Sequence, residues 1–124
     1  MPGVVLIGDA AGHVDPITGQ GLSIGLRDVR QVSEILAGED WRQAAFAPYV
    51  EARMERLRRL RVAARFAATT RAEFGEAART RRQRAGRRAN VEGYPSPTAS
   101  GLVGPDALPA ECFEQSSIDA LLAP

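Results

Sequence analysis

The sequence predicts a mainly helical chain with one short β-strand, and three observations carry that expectation. Val4-Val5-Leu6-Ile7 is the one short run of bulky apolar residues without polar alternation, the pattern of a strand buried on both faces. Two later stretches, 18–37 and 40–72, repeat apolar residues at helical spacing. From Gly93 to Pro109 the chain is punctuated by proline and glycine, which favour loops.

Gly8-Asp9 ends the expected strand with a small residue and a carboxylate at its C-terminal edge, where open α/β sheets bind ligands. Pro16, Gly19 and Gly21 then shape a turn that brings backbone close to a ligand. The N–H groups of Gly21, Leu22 and Ser23 are the orphan donors of the next helix, a place for negative charge. That helix is expected from Thr18 or Gly19 to Ala37, with Leu22, Leu26, Val29, Ser33 and Leu36 as its buried face. Gly38 is placed to stop it, and Asp40 to cap the next segment with Gln43 three residues on. Pro48 marks a kink or a fresh helix start, and Val50, Met54, Leu57, Leu60 and Ala64 form the following apolar face. After the 93–109 loop, residues 110–122 form a last short helix anchored by Ile118, Leu121 and Leu122.

Composition sets bounds. The 124 residues leave room for one core of modest size, and only 6% are aromatic. The single cysteine, Cys112, excludes an internal disulfide and fits a reducing compartment, so a cytoplasmic location is expected. Cys112 lies between Glu111 and Glu114, which disfavour a thiolate, and a packing role is expected for it. No apolar run is long enough to span a bilayer, and the first residues do not form a secretory leader. His13 with Asp9 and Asp15 is too sparse a set for a metal site, and Gly19-x-Gly21-x-x-x-Gly25 lacks the preceding strand a dinucleotide fingerprint needs.

Between residues 3 and 37 the chain resembles the FAD-dependent monooxygenases and reductases of the aromatic-hydroxylase type. Their second half carries a Gly-Asp fingerprint followed by Pro-x-x-Gly-x-Gly-Leu, here Gly8-Asp9 and Pro16 to Leu22. The resemblance implies that Asp9 bonds a ribityl hydroxyl of FAD and that Pro16 lies near the isoalloxazine. Thr18, Gly19, Gln20 and Gly21 would wrap the flavin, and the N–H groups of Leu22 and Ser23 would hold its pyrimidine oxygen. Arg27-Asp28 matches the family's polar pair, and Tyr49 and Arg53 match a helix that packs against the FAD domain. Many members have histidine directly after Ala-Ala; here Gly12 fills that place and His13 follows, so no role passes to His13.

The resemblance further implies the C-terminal part of an α/β FAD-binding (Rossmann-like) fold, a fragment inactive alone. Its adenosine-binding half would come from an upstream polypeptide, and NAD(P)H is the co-substrate the full-length family suggests. Three regions are expected: 1–38 with the fingerprint, 39–92 helical and Arg-rich, and 93–124 as linker and short helix. No residue is assigned as acid, base or nucleophile, and the chemistry would be the flavin's, that of an oxidoreductase.

A second reading is a non-enzymatic, Arg-rich helical module binding acidic partners or nucleic acid. All 16 basic residues are arginine, and 13 lie between Arg53 and Arg88 against three glutamates. Arg79, Arg81, Arg82, Arg84, Arg87 and Arg88 form a dense run, but no aromatic residues interleave it to stack on bases, which weighs against nucleic acid. A solvated face balanced by the acidic ends of the same chain accounts for the run more simply.

Overall fold

The computed structural model describes residues 3–91 and 95–124; Glu92, Gly93 and Tyr94, at the start of the expected linker, lie outside the described residues. The spine is helix α2, Ala47–Ala67, with Pro48 in its first turn, where the missing proline N–H leaves no intrahelical bond unmade. Its Leu57 and Leu60 pack with Ile24, its Ala63 with Cys112 and Phe113, and its Phe66 with Ala85, Ile118 and Leu121. One helix therefore runs through all three buried clusters. The helix ends in a π turn over Ala68–Ala72, where the Thr70 hydroxyl donates to the Phe66 carbonyl at 2.7 Å.

Helix α1, Gly21–Leu36, precedes it, and α3, Glu76–Ala89, follows it. The C-terminal third returns along α2 through short turns at Pro97–Ala99, Pro105–Ala107 and Ala110–Phe113, a single helical turn α4, Ser100–Val103, and helix α5, Gln115–Leu122. Ile118 and Leu121 of α5 are buried as expected, and Phe113, not singled out by periodicity, is among the most buried side chains. Cys112 is buried in the cluster with Ala63 and Phe113.

The expected strand does not form, and the α/β assignment is corrected. Among the described residues there is no strand. Residue 7 has an extended backbone (φ −134°, ψ 166°), but no other described segment completes a ladder with 4–7. Val4 is 54% exposed and Leu6 55%.

Four further expectations are revised. Leu22, Leu26, Val29 and Leu36 are exposed, and the buried stripe of α1 is Ile24, Asp28 and Val32, rotated away from the more apolar side. Gly38 keeps ordinary backbone geometry; the Trp41 indole N–H ends α1 by donating to the carbonyls of Leu36 (3.1 Å) and Gly38 (2.8 Å). Asp40 caps no helix: its carboxylate takes the Arg42 backbone N–H at 3.0 Å and pairs with the Arg42 guanidinium. On α2, Val50 and Met54 are exposed whereas Leu57, Leu60 and Ala64 are buried.

Candidate functional site

Residues 8–23 form two tight 3₁₀ turns, Gly8–Ala11 and Pro16–Thr18, that lead into α1. The first is held from beneath by a buried ion pair. Asp28, 2% exposed, accepts from the Gly8 N–H at 2.8 Å and from Arg53 Nε at 2.9 Å. The rest of the Arg53 guanidinium donates to the carbonyls of Gly8 (2.6 Å), Ala11 (3.1 Å) and Gly12 (3.3 Å). A planar fork with five donors is suited to gathering several carbonyls of one turn. Tyr49 adds a bond from its hydroxyl to the Leu6 carbonyl at 3.2 Å, and burial pushes its phenol above the ordinary value.

These contacts consume the backbone of the turn and leave one side chain unused. Asp9 is exposed and its carboxylate has no hydrogen-bond or ion-pair partner among the described residues. Gly12 closes the turn at φ +113°, a conformation that L side chains rarely adopt, with Leu57 and Arg61 close above its missing Cβ. His13, which follows it, is exposed.

In the second turn Asp15 accepts the Ile17 N–H at 2.9 Å, and Gly19 adopts the left-handed conformation (φ 66°, ψ 12°) that redirects the chain into α1. Thr18 and Gln20 are buried; Pro16, Gly19, Gly21, Leu22 and Ser23 are exposed. The Gln20 amide donates to the Gly101 carbonyl at 3.1 Å, tying the turn to α4. The helix start has no side-chain cap, so its first N–H groups face outward. The first turn is tied to α1 through the Gly8 N–H and Asp28, the start of α1 is exposed, and Thr18 and Gln20 are buried.

The Asp28–Arg53 clamp carries more than a packing contact between helices. Its signal was present in the sequence: Asp28 falls on the stripe with Ile24 and Val32, and a carboxylate there demands a buried cation. A second network links α1, α2 and the C-terminal third, with Asp106 pairing with both Arg27 (3.0 Å) and Arg56. Burial pulls the Arg56 guanidinium below its ordinary pKa.

The arginine run of α3 divides. Arg88 donates to the carbonyls of Ala120, Leu121, Ala123 and Pro124, closing the end of α5. Arg82 donates to the carbonyls of Thr70 and Arg71, and Arg81 pairs with Glu73. Arg79, Arg84 and Arg87 remain exposed. Half of the run is occupied within the chain, chiefly in binding carbonyls at helix ends.

Arg53 thus grips three carbonyls of the glycine turn that carries the unpaired Asp9 carboxylate. The chain belongs to the tryptophan halogenase family, whose model matches residues 1–122, and with it to FAD-dependent flavoproteins of the monooxygenase type. It is 36% identical over 60 residues to the 3-demethoxyubiquinol 3-hydroxylase of Escherichia coli (strain K12), covering 48% of this chain and 15% of that protein. It is 41% identical over 46 residues to the uncharacterized protein slr1300 of Synechocystis sp. (strain ATCC 27184 / PCC 6803 / Kazusa), covering 33% of this chain and 11% of that protein. The chain therefore spans a small part of the length of both relatives. No solved structure matches it. No described helix is long and apolar enough to cross a membrane.

Proposed function

We propose that residues 8–23 supply the ribityl and isoalloxazine contacts of an FAD site in a flavin-dependent oxidoreductase that hydroxylates or halogenates an organic substrate. The observation that carries this reading is the free Asp9 carboxylate on a turn whose backbone is fixed by Arg53 and Asp28. Fixing the turn keeps Asp9 directed outward without ordering cost when a ribityl hydroxyl arrives. Gly8 and Gly19 let backbone approach the cofactor closely, and Pro16 and Thr18 shape the edge beside the ring. Gln20 and Gly21 bring the chain to the start of α1, and the N–H groups of Leu22 and Ser23 point where negative charge gathers on the pyrimidine oxygen. When bound, the flavin would supply the redox chemistry, accepting hydride from NAD(P)H and activating oxygen. The adenosine half of FAD would be held by residues outside this chain.

The test joins the chain, in one polypeptide, to an adenosine-binding strand–glycine turn–helix unit and titrates FAD by flavin fluorescence at fixed salt and pH. Asp9→Ala is expected to weaken FAD about 10- to 100-fold, the loss of a hydrogen bond to a charged acceptor at about 1.5–3 kcal/mol. His13→Ala is expected to change affinity less than about threefold, within the ordinary range of an exposed substitution. Equal losses for the two variants would overturn the assignment.

A further inference from the structure

A space lined by small residues lies apart from Asp9, Leu22 and Ser23. It is a cavity of about 290 Å³ between the 16–18 turn, the last turns of α2, and α3. It opens into an outer cleft of about 1020 Å³ beside α4, and Ile17, Thr18, Arg71, Asn90 and Gly101 border both spaces. The inner volume matches the lower end of small-molecule pockets. It exists because the facing helices present small residues: Ala63 and Ala67 from α2, and Ala85, Gly86 and Ala89 from α3. Phe66 and Ile17 supply larger apolar walls.

The charge on that lining has one sign. Arg71 and Arg82 border the inner cavity, and among the described residues no acidic one does. Arg82 is held in place by the carbonyls of Thr70 (3.2 Å) and Arg71 (3.4 Å). The Arg71 guanidinium has no hydrogen-bond or ion-pair partner among the described residues. Glu111 stands in the outer cleft only, so an anion is favoured at the inner end. A guanidinium that is not spent on its own chain offers a two-point bond to a carboxylate.

We propose that this cavity binds a small apolar acid, an aromatic or hydrocarbon body with one carboxylate held by Arg71. The body fills the space left by the alanines and Gly86, and the carboxylate meets the guanidinium where the two spaces join. The Pro16–Thr18 turn forms one wall, so an occupant would also press on the backbone that leads into α1. The proposal does not require bound flavin: Asp9, Gly21, Leu22 and Ser23 border neither space, although Thr18, and in the outer cleft Pro16 and Gly19, belong also to the proposed flavin segment.

The probe is 3-phenylpropionate, titrated into the 124-residue chain by calorimetry at low salt. Its neutral analogue 3-phenylpropanol and inorganic phosphate serve as comparisons. Saturable binding of the acid at least tenfold tighter than of the alcohol is expected, with amide shifts at Thr18 and Gly101 in NMR spectra. Arg71 is exposed, so Arg71→Gln should fold normally; it is expected to erase the tenfold preference and leave alcohol binding unchanged. Gly86→Leu, at a helical position where an added Cβ meets open space, is expected to abolish binding of both while helical circular dichroism is retained. No saturable binding of the acid would overturn the proposal. So would equal affinity for acid and alcohol, phosphate binding as tight as the acid, or an acid preference that survives Arg71→Gln.

Discussion

Helices α1 and α2 relate hydrophobicity to burial in opposite ways. On α1 the apolar side is outside, with Leu22 78% exposed and Leu26 63%, while a carboxylate, Asp28, is 2% exposed. α2 carries six arginines and yet supplies residues to every buried cluster. Burial is set by what each helix is packed against. α2 is surrounded by α1, α3 and the C-terminal turns, whereas α1 touches the rest of the chain along one narrow stripe. The outer face of α1 carries Leu22, Leu26, Val29 and Leu36 in exposed positions. It belongs to the same helix whose N-terminus completes the candidate flavin segment, so the chain's best-packed part is its support and its most apolar exposed part lies beside its site.

The largest expected effect tests whether the buried polar pair, rather than apolar packing, fastens α1 to α2. Arg53→Met removes a buried cation, leaves Asp28 with the Gly8 N–H alone, and takes the guanidinium donors from three carbonyls of the Gly8–Gly12 turn. Breaking one partner of a buried pair costs about 3–5 kcal/mol. Urea unfolding followed by far-UV circular dichroism should show a loss of that size, and Asp28→Asn added to Arg53→Met should cost much less than the sum of the two single changes. A loss under about 1 kcal/mol for Arg53→Met would mean that the turn is fixed by other contacts, and the contrast between the helices would fail.

A second, smaller effect compares one residue from each helix. Leu60 of α2 is fully buried, and Leu60→Ala should destabilise by about 2–5 kcal/mol through lost contacts and a residual void. Leu26 of α1 is 63% exposed, and Leu26→Ala should stay within about 0.5 kcal/mol. Chemical denaturation of the two variants decides it. A Leu26→Ala loss approaching that of Leu60→Ala would show that the outer face of α1 is covered in solution, by a second copy or otherwise.

Much of this layout was legible in the sequence, and the failures share a cause. Pro48 in the first turn of α2, Leu57 and Leu60 in the core, and Ile118 and Leu121 as the anchor of α5 follow from local chemistry and periodicity. Those signals are written within a few turns of one helix. The strand over 4–7 was misread because an apolar run specifies burial, whereas a strand needs a neighbour, and the neighbour is not local information. The buried face of α1 was misread for the same reason: Leu22, Leu26 and Val29 form the stronger stripe, but the stripe that meets α2 is the one carrying Asp28. Arg53 could have been assigned its grip on the turn by asking what neutralises a carboxylate between Ile24 and Val32. The cavity behind the 16–18 turn had no sequence signal, because voids between Ala and Gly positions depend on how three segments meet.

The smallest effect lies on the exposed flank of α2, where Glu55 bonds Arg58 and Arg59 at 2.7–2.8 Å. Hydrogen bonds from Arg58 first, and then from Arg59, hold the Glu55 carboxyl down to about 2 from an ordinary value of 4.5. Arg59 is itself fixed over the Phe113 ring, 5.4 Å from its centroid, so part of the ordering that weakens surface ion pairs is already met by packing. A carboxyl depressed in the folded state adds stability that is complete above pH 4.5 and disappears as pH falls through about 2. Glu55 is half-exposed, so solvent screening limits the contribution to about 1 kcal/mol or less. Comparing wild-type with Glu55→Gln by urea unfolding should give a small difference at neutral pH that closes between pH 4.5 and 2. Because the bonds are at the surface, molar salt should reduce the same difference at neutral pH. A gap that stays constant down to pH 2 would place the stabilisation in the packing of Arg59 on Phe113, which does not titrate, and would extend the dominance of α2 packing to its outer flank.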